Sequence, residues 1–344
     1  SAALFVFLAL HRFFFAMKDH LKIFMAAAAL PCALAGTPLR ADGGNAEAAS
    51  APEQNAADEM RVYTPARAAL RVQEHLITPF YAYYSQRLPS SVSGGGKMAS
   101  STYGTGFSWR FVHPEKTRIA LTNFNYRRTD YRFSGGRGAP FEHTDSLYAS
   151  TYQEFINPDT GFALVGMLTG ALAAEDGAGL EEGFGGVLAA GCKQYFSETT
   201  SLTLGVATLY RFDRERWFCY PFVSFDWRLA PTLNLRLLNG ASLTWDVFSD
   251  ESFLLDFSVN YQTSAFAVAR DRDRASAHYG KTGAYYEQSV PVTVSGTWNV
   301  SENLFLSVGI SLNTWTKYRL YRSGRETDED FSTDPTLELS LQAG

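Results

Sequence analysis

The chain of 344 residues has a net charge of -5, with 46% hydrophobic and 19% charged residues. An acidic chain does not offer the basic surface that nucleic acids require, so we expect no nucleic-acid partner. Beyond residue 35 the apolar residues rarely form long runs, which excludes a helical membrane protein, because each crossing helix needs about 20 of them in succession.

The N-terminus has the composition of an export signal. Lys18 and Lys22 precede an apolar stretch that ends in the sequence Ala-Leu-Ala at residues 33–35. A charged start, a short apolar region and a small-residue site are typical of a secretory signal peptide. We predict an upstream segment plus signal peptide over residues 1–35, cleaved after Ala35; a membrane anchor is the alternative.

Residues 36–63 differ in composition from the rest of the chain that follows them. Residues 41–60 contain no aromatic side chain and no apolar period, so they cannot offset the entropy lost on ordering. We predict a disordered periplasmic linker over residues 36–63. The stretch from Pro65 to Leu76 fits one amphipathic helix, which either leads into the domain at residues 64–344 or plugs it.

A strict alternation in residues 303–321 predicts one long strand. The even positions are apolar from Leu304 to Leu320, apart from Thr314 and Thr316, and most odd positions are polar. A period of two separates the two faces of an extended strand. The strand would be about three times the usual five or six residues, a length that suits a membrane-crossing strand of about 9 to 11 residues with an extension.

The same alternation recurs along the domain, for example at residues 103–111, 253–262 and 287–298. Between the strands, short connections at 113–116, 157–161, 197–200, 230–232, 249–252 and 300–303 alternate with connections of a second class, most of them longer and rich in glycine or charge. Short turns at one end and longer loops at the other are typical of bacterial outer-membrane barrels. The count is about 14 strands, from near Leu76 to near Gln342, with about 12 as the alternative.

Aromatic side chains cluster near the predicted strand ends, as the interfacial girdles of membrane barrels require. Examples are Tyr103, Trp109, Trp245 and Trp298. A soluble all-β domain would also alternate, but its strands would be shorter. We therefore predict an all-β fold, a single antiparallel transmembrane β-barrel in the outer membrane, in contact with outer-membrane lipid.

The segment from Tyr220 to Phe248, with the signal peptide and the alternating strands, resembles bacterial outer-membrane β-barrel proteins grouped as a domain of unknown function. The resemblance spans about residue 64 to the end and implies insertion by the barrel-assembly machinery; it supplies no catalytic residues. Such barrels usually finish on an aromatic residue, whereas this sequence finishes on Leu337-ELSLQAG. We therefore expect a slightly truncated gene product.

Charged residues on the polar face of the predicted strands are expected to point into the lumen. A charge facing lipid at mid-depth costs about 2 to 4 kcal/mol, so the inward position is favoured. Such charges either line a wet pore or pair into a plug. The predicted lumen-lining set is Arg110, Asp226, Arg228, Asp246, Asp256, Glu287, Lys317, Arg319 and Glu338.

Chemical motifs are weak. A barrel lipid hydrolase would need a histidine beside a serine and an acid, and His143, Asp145 and Ser146 lie close in sequence. Neighbours along a strand alternate faces, so we expect no enzyme. The acidic run at residues 326–334 could bind calcium through oxygen ligands, but a solvated loop is favoured, and we expect neither metal nor cofactor.

The leading hypothesis is passive passage of small solutes, because a barrel of this size leaves interior space and its inward residues are polar. A closed structural or surface-interaction barrel is the first alternative. A lipid-modifying enzyme using His143 or His278 is the second.

Overall fold

The computed structural model describes residues 80–344 except for 113–116, 136–138, 198, 213–215, 270–281, 302–303, 323–324 and 328–329. The predicted signal peptide, the linker and the Pro65–Leu76 helix lie outside the described residues. Within the described part of the chain, no helix is long and apolar enough to span a membrane.

The described residues form β-strand segments and one short 3-10 helix, η1 (Leu180–Gly183). The segments are β1 (Phe80–Ser91), β2 (Lys97–Val112), β3 (Arg118–Ser134), β4 (His143–Asn157), β5 (Phe162–Glu175), β6 (Phe184–Ser197), β7 (Thr200–Arg211), β8 (Arg216–Ala230), β9 (Leu233–Leu237), β10 (Gly240–Asp246), β11 (Phe253–Asn260), β12 (Gln262–Val268), β13 (Gly283–Ser301), β14 (Leu304–Arg322), β15 (Arg325–Glu326), β16 (Phe331–Thr333) and β17 (Thr336–Ala343).

These segments make a closed antiparallel barrel of 14 strands. Segments β11 and β12 pair in succession with β13 and form one strand. Segments β15, β16 and β17 pair in succession with β14 and form another. The ring closes where β17 pairs with β1, from Ala82 opposite Ala343 to Arg87 opposite Glu338. The predicted all-β antiparallel barrel of 14 strands is confirmed.

The two ends of the barrel differ. Phe80 and Ala343 lie at one end, which we call the terminal end, with short connections such as residues 158–161 between β4 and β5. The opposite end, the loop end, carries longer connections, for example residues 135–142 and 176–183. This division follows the predicted alternation of short turns with longer loops.

The two faces of the wall are chemically distinct. Arg87 on β1 contacts Glu287 on β13 across β17 and β14, and a contact that skips two strands is made on the concave side. Residues on the face of Glu287 therefore point inward, and many are hydroxyl-bearing, such as Thr293 and Ser311, which hydrogen-bond at 2.8 Å. The outward face carries exposed apolar side chains; on β14 these are Leu304, Leu306, Val308, Ile310 and Leu312.

A β-bulge interrupts β14. The register passes from Asn313 opposite Pro291 to Thr316 opposite Ser289, so β14 has one residue more than β13 at this point. From Thr316 onward the faces of β14 are exchanged, and even-numbered residues point inward. The prediction of one uninterrupted alternation over residues 303–321 is wrong beyond Asn313.

Candidate functional site

The loop end of the interior is filled by what we call the aromatic plug. Phe141, from the connection between β3 and β4, is 1% exposed. Its ring lies 4.7 to 6.2 Å from six others. These are Tyr131, Phe133, Phe266, Tyr285, Tyr318 and Phe331, contributed by β3, β12, β13, β14 and β16. Buried Met98 and Leu320 complete the packing, so the plug closes this part of the barrel along its axis.

Strands β5 and β12 meet at the loop end although β6 to β10 separate them elsewhere. Ala267 forms a parallel bridge with Ala174, and the Ala269 backbone N–H donates to Glu175 Oε2 at 3.0 Å. The ring around the plug is therefore narrower than the barrel below it.

The loop-end part of β7 lies outside this narrow ring. The Arg211 guanidinium lies 3.7 Å from the centre of the Tyr286 ring, and Tyr286 is on the outward face of β13, opposite Arg319. The loop-end part of β7 thus packs against the outer surface of β13.

An ion network lies beneath the plug. Arg87 Nη1 lies 3.2 Å from Glu287 Oε1 and Nε lies 3.4 Å from Glu338 Oε2. The same Nη1 donates to the Tyr318 hydroxyl at 3.1 Å, and Asn313 Nδ2 donates to Glu338 at 3.2 Å. One guanidinium therefore holds two carboxylates together and joins the closing strands β1 and β17 to β13 and β14.

A second buried charge lies on the opposite wall. Glu154 accepts hydrogen bonds from the Tyr195 hydroxyl at 2.6 Å and the Tyr152 hydroxyl at 2.8 Å. Lys193 Nζ lies 3.5 Å from Glu154, and their side chains are 7% and 2% exposed. Apolar Ile119, Ile156 and Ala163 surround the group. A buried carboxylate is tolerated here because a cation and two hydroxyls satisfy it.

A cavity of about 300 Å³ opens between the inner faces of β4 to β9. Ser197 and Thr199 lie at its terminal end, and Leu238 and Asn239 at the tip of the β9–β10 hairpin lie at its other end. Charged and hydroxyl groups line the part of the cavity near the terminal end, and apolar groups line the part nearer the loop end. The polar set is Lys193, Ser201, Thr203, Asp226, Arg228 and Arg236; the apolar set is Val165, Met167, Val187, Ala189, Ala207 and Phe222.

Most of the predicted lumen charges with described side chains lie on the inward face: Asp226, Arg228, Asp246, Asp256, Glu287 and Glu338. The structure does not gather them into one site. Glu287 and Glu338 share Arg87, Asp226 accepts from Arg236 at 2.6 Å, and Asp256 accepts from Thr244 at 2.7 Å.

The other predicted charges have separate surroundings. Asp246 accepts the backbone N–H groups of Ser249 and Glu251 at 3.0 and 3.1 Å and so stabilises a terminal-end turn. Arg110 lies on β2, and its side chain is outside the described part of the structure.

Lys317 and Arg319 lie on the outward face, not in the lumen as the unbroken alternation predicts, because the bulge on β14 exchanges the faces. Lys317 Nζ lies 2.5 Å from Asp330 Oδ2 and Arg319 lies 3.5 Å from Glu326. The Lys317 ammonium lowers the pKa of the Asp330 carboxyl below its ordinary value. Two acids of the acidic run at residues 326–334 are therefore paired with cations.

The residues considered for catalysis are not brought together. His143 Nδ1 lies 2.8 Å from Asp130 Oδ1, whereas Ser146 lies on the opposite face of β4 and bonds to the Arg127 side chain at 3.3 Å. His278 lies outside the described residues.

Several inward residues were not in the predicted set: Arg87, Glu154, Lys193 and Arg236. The inward position of Arg87 could have been predicted from the alternation on β1, where Arg87 continues the inward row of Tyr81, Tyr83 and Ser85. The position of Phe141 could not be predicted in this way, because Phe141 lies in a loop.

No family model matches the chain, and no curated protein sequence matches it. Among solved structures it is similar to an outer-membrane channel from Pseudomonas putida F1, with 8% identity, 78% of this chain and 94% of that chain covered, and a TM-score of 0.40. A TodX monoaromatic hydrocarbon channel mutant has 9% identity, coverage of 77% and 88%, and a TM-score of 0.38. The NanC porin has 6% identity, coverage of 77% and 98%, and a TM-score of 0.35.

Proposed function

We propose that this protein is an outer-membrane β-barrel through which small solutes pass passively. In support, the closed ring pairs its first and last strands, and the outward face carries a band of exposed leucine, valine and isoleucine with aromatic residues nearby. A spanning barrel needs both features, because hydrocarbon neither hydrogen-bonds to a free sheet edge nor solvates charge. The terminal end then faces the periplasm, and insertion by the barrel-assembly machinery is part of the proposal.

The observation that carries solute passage is the cavity between the inner faces of β4 to β9. Its volume of about 300 Å³ is at the lower end of the range for small-molecule sites. A barrel whose interior is only structural gains packing energy by filling such a space, whereas this one leaves it open beside paired charges.

The alternative is a closed barrel that acts through its loops, and the aromatic plug favours it. The two functions differ in whether any solute crosses the membrane. A lipid-modifying enzyme would need a serine beside His143. Among the described residues of β4, no serine lies on the same face as His143, so we do not propose this function.

The test is entry of small solutes into porin-deficient Gram-negative cells that make the protein. The panel should run from sugars to small aromatic amines, with an empty vector as control and the heat-dependent gel shift of a folded barrel as the check on assembly. We expect at least one class to enter several-fold faster than in the control. A folded barrel that speeds none of them would refute passage and favour the closed barrel.

A further inference from the structure

The cavity between the inner faces of β4 to β9 opens to water at the terminal end. Ser197 and Thr199 line it there, and both are exposed at the turn between β6 and β7. In the proposed orientation this end faces the periplasm, so a solute can reach the cavity from that side.

Two hydroxyl groups on β7 face the cavity without a protein partner. Ser201 and Thr203 line it and are only 4% and 8% exposed. Neither side chain forms a hydrogen bond with another residue in the part of the chain that the structure describes. A buried hydroxyl without a partner is unfavourable. We therefore expect both hydroxyls to bond to what occupies the cavity.

The register of the sheet places charged groups beside these hydroxyls. Thr203 lies directly opposite Lys193 on β6. Ser201 lies opposite Asp226 on β8, which in turn lies opposite Arg236 on β9. Side chains directly opposite each other have Cβ atoms about 4.5 to 5.5 Å apart. One ligand group can therefore contact a hydroxyl and a neighbouring charge at the same time.

Positive charge is in excess around the hydroxyls. Among the described residues that line the cavity, the acid is Asp226 and the cations are Lys193, Arg228 and Arg236. Glu154 contacts Lys193 at 3.5 Å from outside this lining. Counting Glu154 with Asp226, three cations still face two acids. An anion is therefore favoured in this part of the cavity, and hydrogen bonds from hydroxyls to an ionised acceptor are among the stronger ones.

The part of the cavity nearer the loop end has different chemistry. Its walls are apolar, with Met167, Val187 and Phe222 among them. A polar group buried against such walls loses its hydrogen bonds to water without replacement, whereas an apolar group gains from leaving water. This part of the cavity therefore suits the uncharged body of a ligand.

From these two parts we infer that the cavity binds small amphipathic monoanions. The carboxylate lies at the Ser201 and Thr203 hydroxyls, and the apolar body extends towards the loop end. As the identity of the solute that passes, this inference rests on the proposed function.

Four small compounds separate the features of such a ligand. Cyclohexanecarboxylate has the apolar body and the anionic group. Cyclohexanol replaces the anionic group by a neutral hydroxyl, cyclohexylamine replaces it by a cation, and acetate keeps the carboxylate without the ring. Dissociation constants are measured by titration calorimetry on the folded full-length protein in detergent micelles, with the heat from micelles alone subtracted.

Two near-isosteric substitutions test the polar part of the cavity. Thr203→Val removes a hydroxyl donor, and Asp226→Asn removes the acid from the lining. The matched controls are Thr293→Val and Asp256→Asn. Thr293 and Asp256 also point inward, but they lie on β13 and β11 and not in the cavity lining.

We expect cyclohexanecarboxylate to bind about tenfold tighter, or more, than each of the other three compounds. Thr203→Val should weaken its binding by about tenfold, as expected for loss of a hydrogen bond to a charged group. Asp226→Asn should tighten it several-fold, and both controls should leave it unchanged. Equal binding of cyclohexanol, tighter binding of cyclohexylamine, or unchanged binding in both folded cavity variants would overturn the inference.

Entry into the porin-deficient cells separates this inference from the proposed function. Faster entry of cyclohexanecarboxylate than of arabinose would support both. Entry of arabinose without binding of the carboxylate would overturn the inference and leave passage standing. Tight binding of the carboxylate without entry of any solute would refute passage and support a binding site in a closed barrel.

Discussion

Replacement of Arg87 by methionine should strongly destabilise the barrel. The Arg87 side chain is 12% exposed and contacts Glu287 and Glu338 at 3.2 and 3.4 Å. Methionine keeps part of the apolar stem but leaves two carboxylates facing each other without a cation. Removal of one partner of a buried ion pair costs about 3 to 5 kcal/mol, and we expect a loss of that size in the free energy of unfolding at neutral pH.

The measurement is urea unfolding in phospholipid vesicles, followed by tryptophan fluorescence. Arg128→Met is the matched control: Arg128 has three carboxylate partners, one more than Arg87, at 3.1 to 3.3 Å, but it lies on the outward face with 27% of its side chain exposed. Exposed pairs contribute about 0.2 to 1 kcal/mol each. The reasoning is refuted if Arg87→Met costs no more than Arg128→Met. Adding Glu287→Gln and Glu338→Gln to Arg87→Met should recover much of the loss.

Three further outcomes are expected. Phe141→Ala should cost about 3 to 5 kcal/mol and produce ionic current in planar bilayers where the wild type conducts little; equal currents would contradict the plug. Val308→Arg should cost about 2 to 4 kcal/mol in vesicles, and a cost below about 1 kcal/mol would place Val308 outside hydrocarbon. Glu154→Ala leaves Lys193 without its acid and should cost about 3 to 5 kcal/mol by the same urea assay, with partial recovery in Glu154→Ala/Lys193→Met; no recovery would mean that the pair is not coupled.

The strands and their number could be predicted because alternation is a local property. Each strand shows its two faces within its own residues, and the short and long connections give the count. The assignment of faces on β14 failed at one position for a physical reason: a bulge adds one residue, and every side chain beyond it changes face. Trp315 between Thr314 and Thr316 breaks the pattern there, and this was the only signal.

The interior could not be predicted in the same way, because its contacts join distant parts of the chain. Parity places Glu287 and Glu338 inward, but nothing local shows that Arg87 lies between them. The bridge between Ala174 and Ala267 is even harder to predict from the sequence, because an alanine in a strand shows only that another backbone can approach it closely.

The seam between β1 and β17 has a consequence for the speed of assembly. The seam pairs Arg87 with Glu338, which are 251 residues apart. It can therefore form only after nearly all the strands between these two residues have paired with their neighbours. Contacts of such long range are slow to form, and until then both strands expose unpaired edges. Because the Arg87 contacts with Glu338 appear only on closure, their loss should accelerate opening of the ring more than it delays closing. The Arg87 guanidinium therefore lengthens the lifetime of the closed barrel more than it speeds its closure.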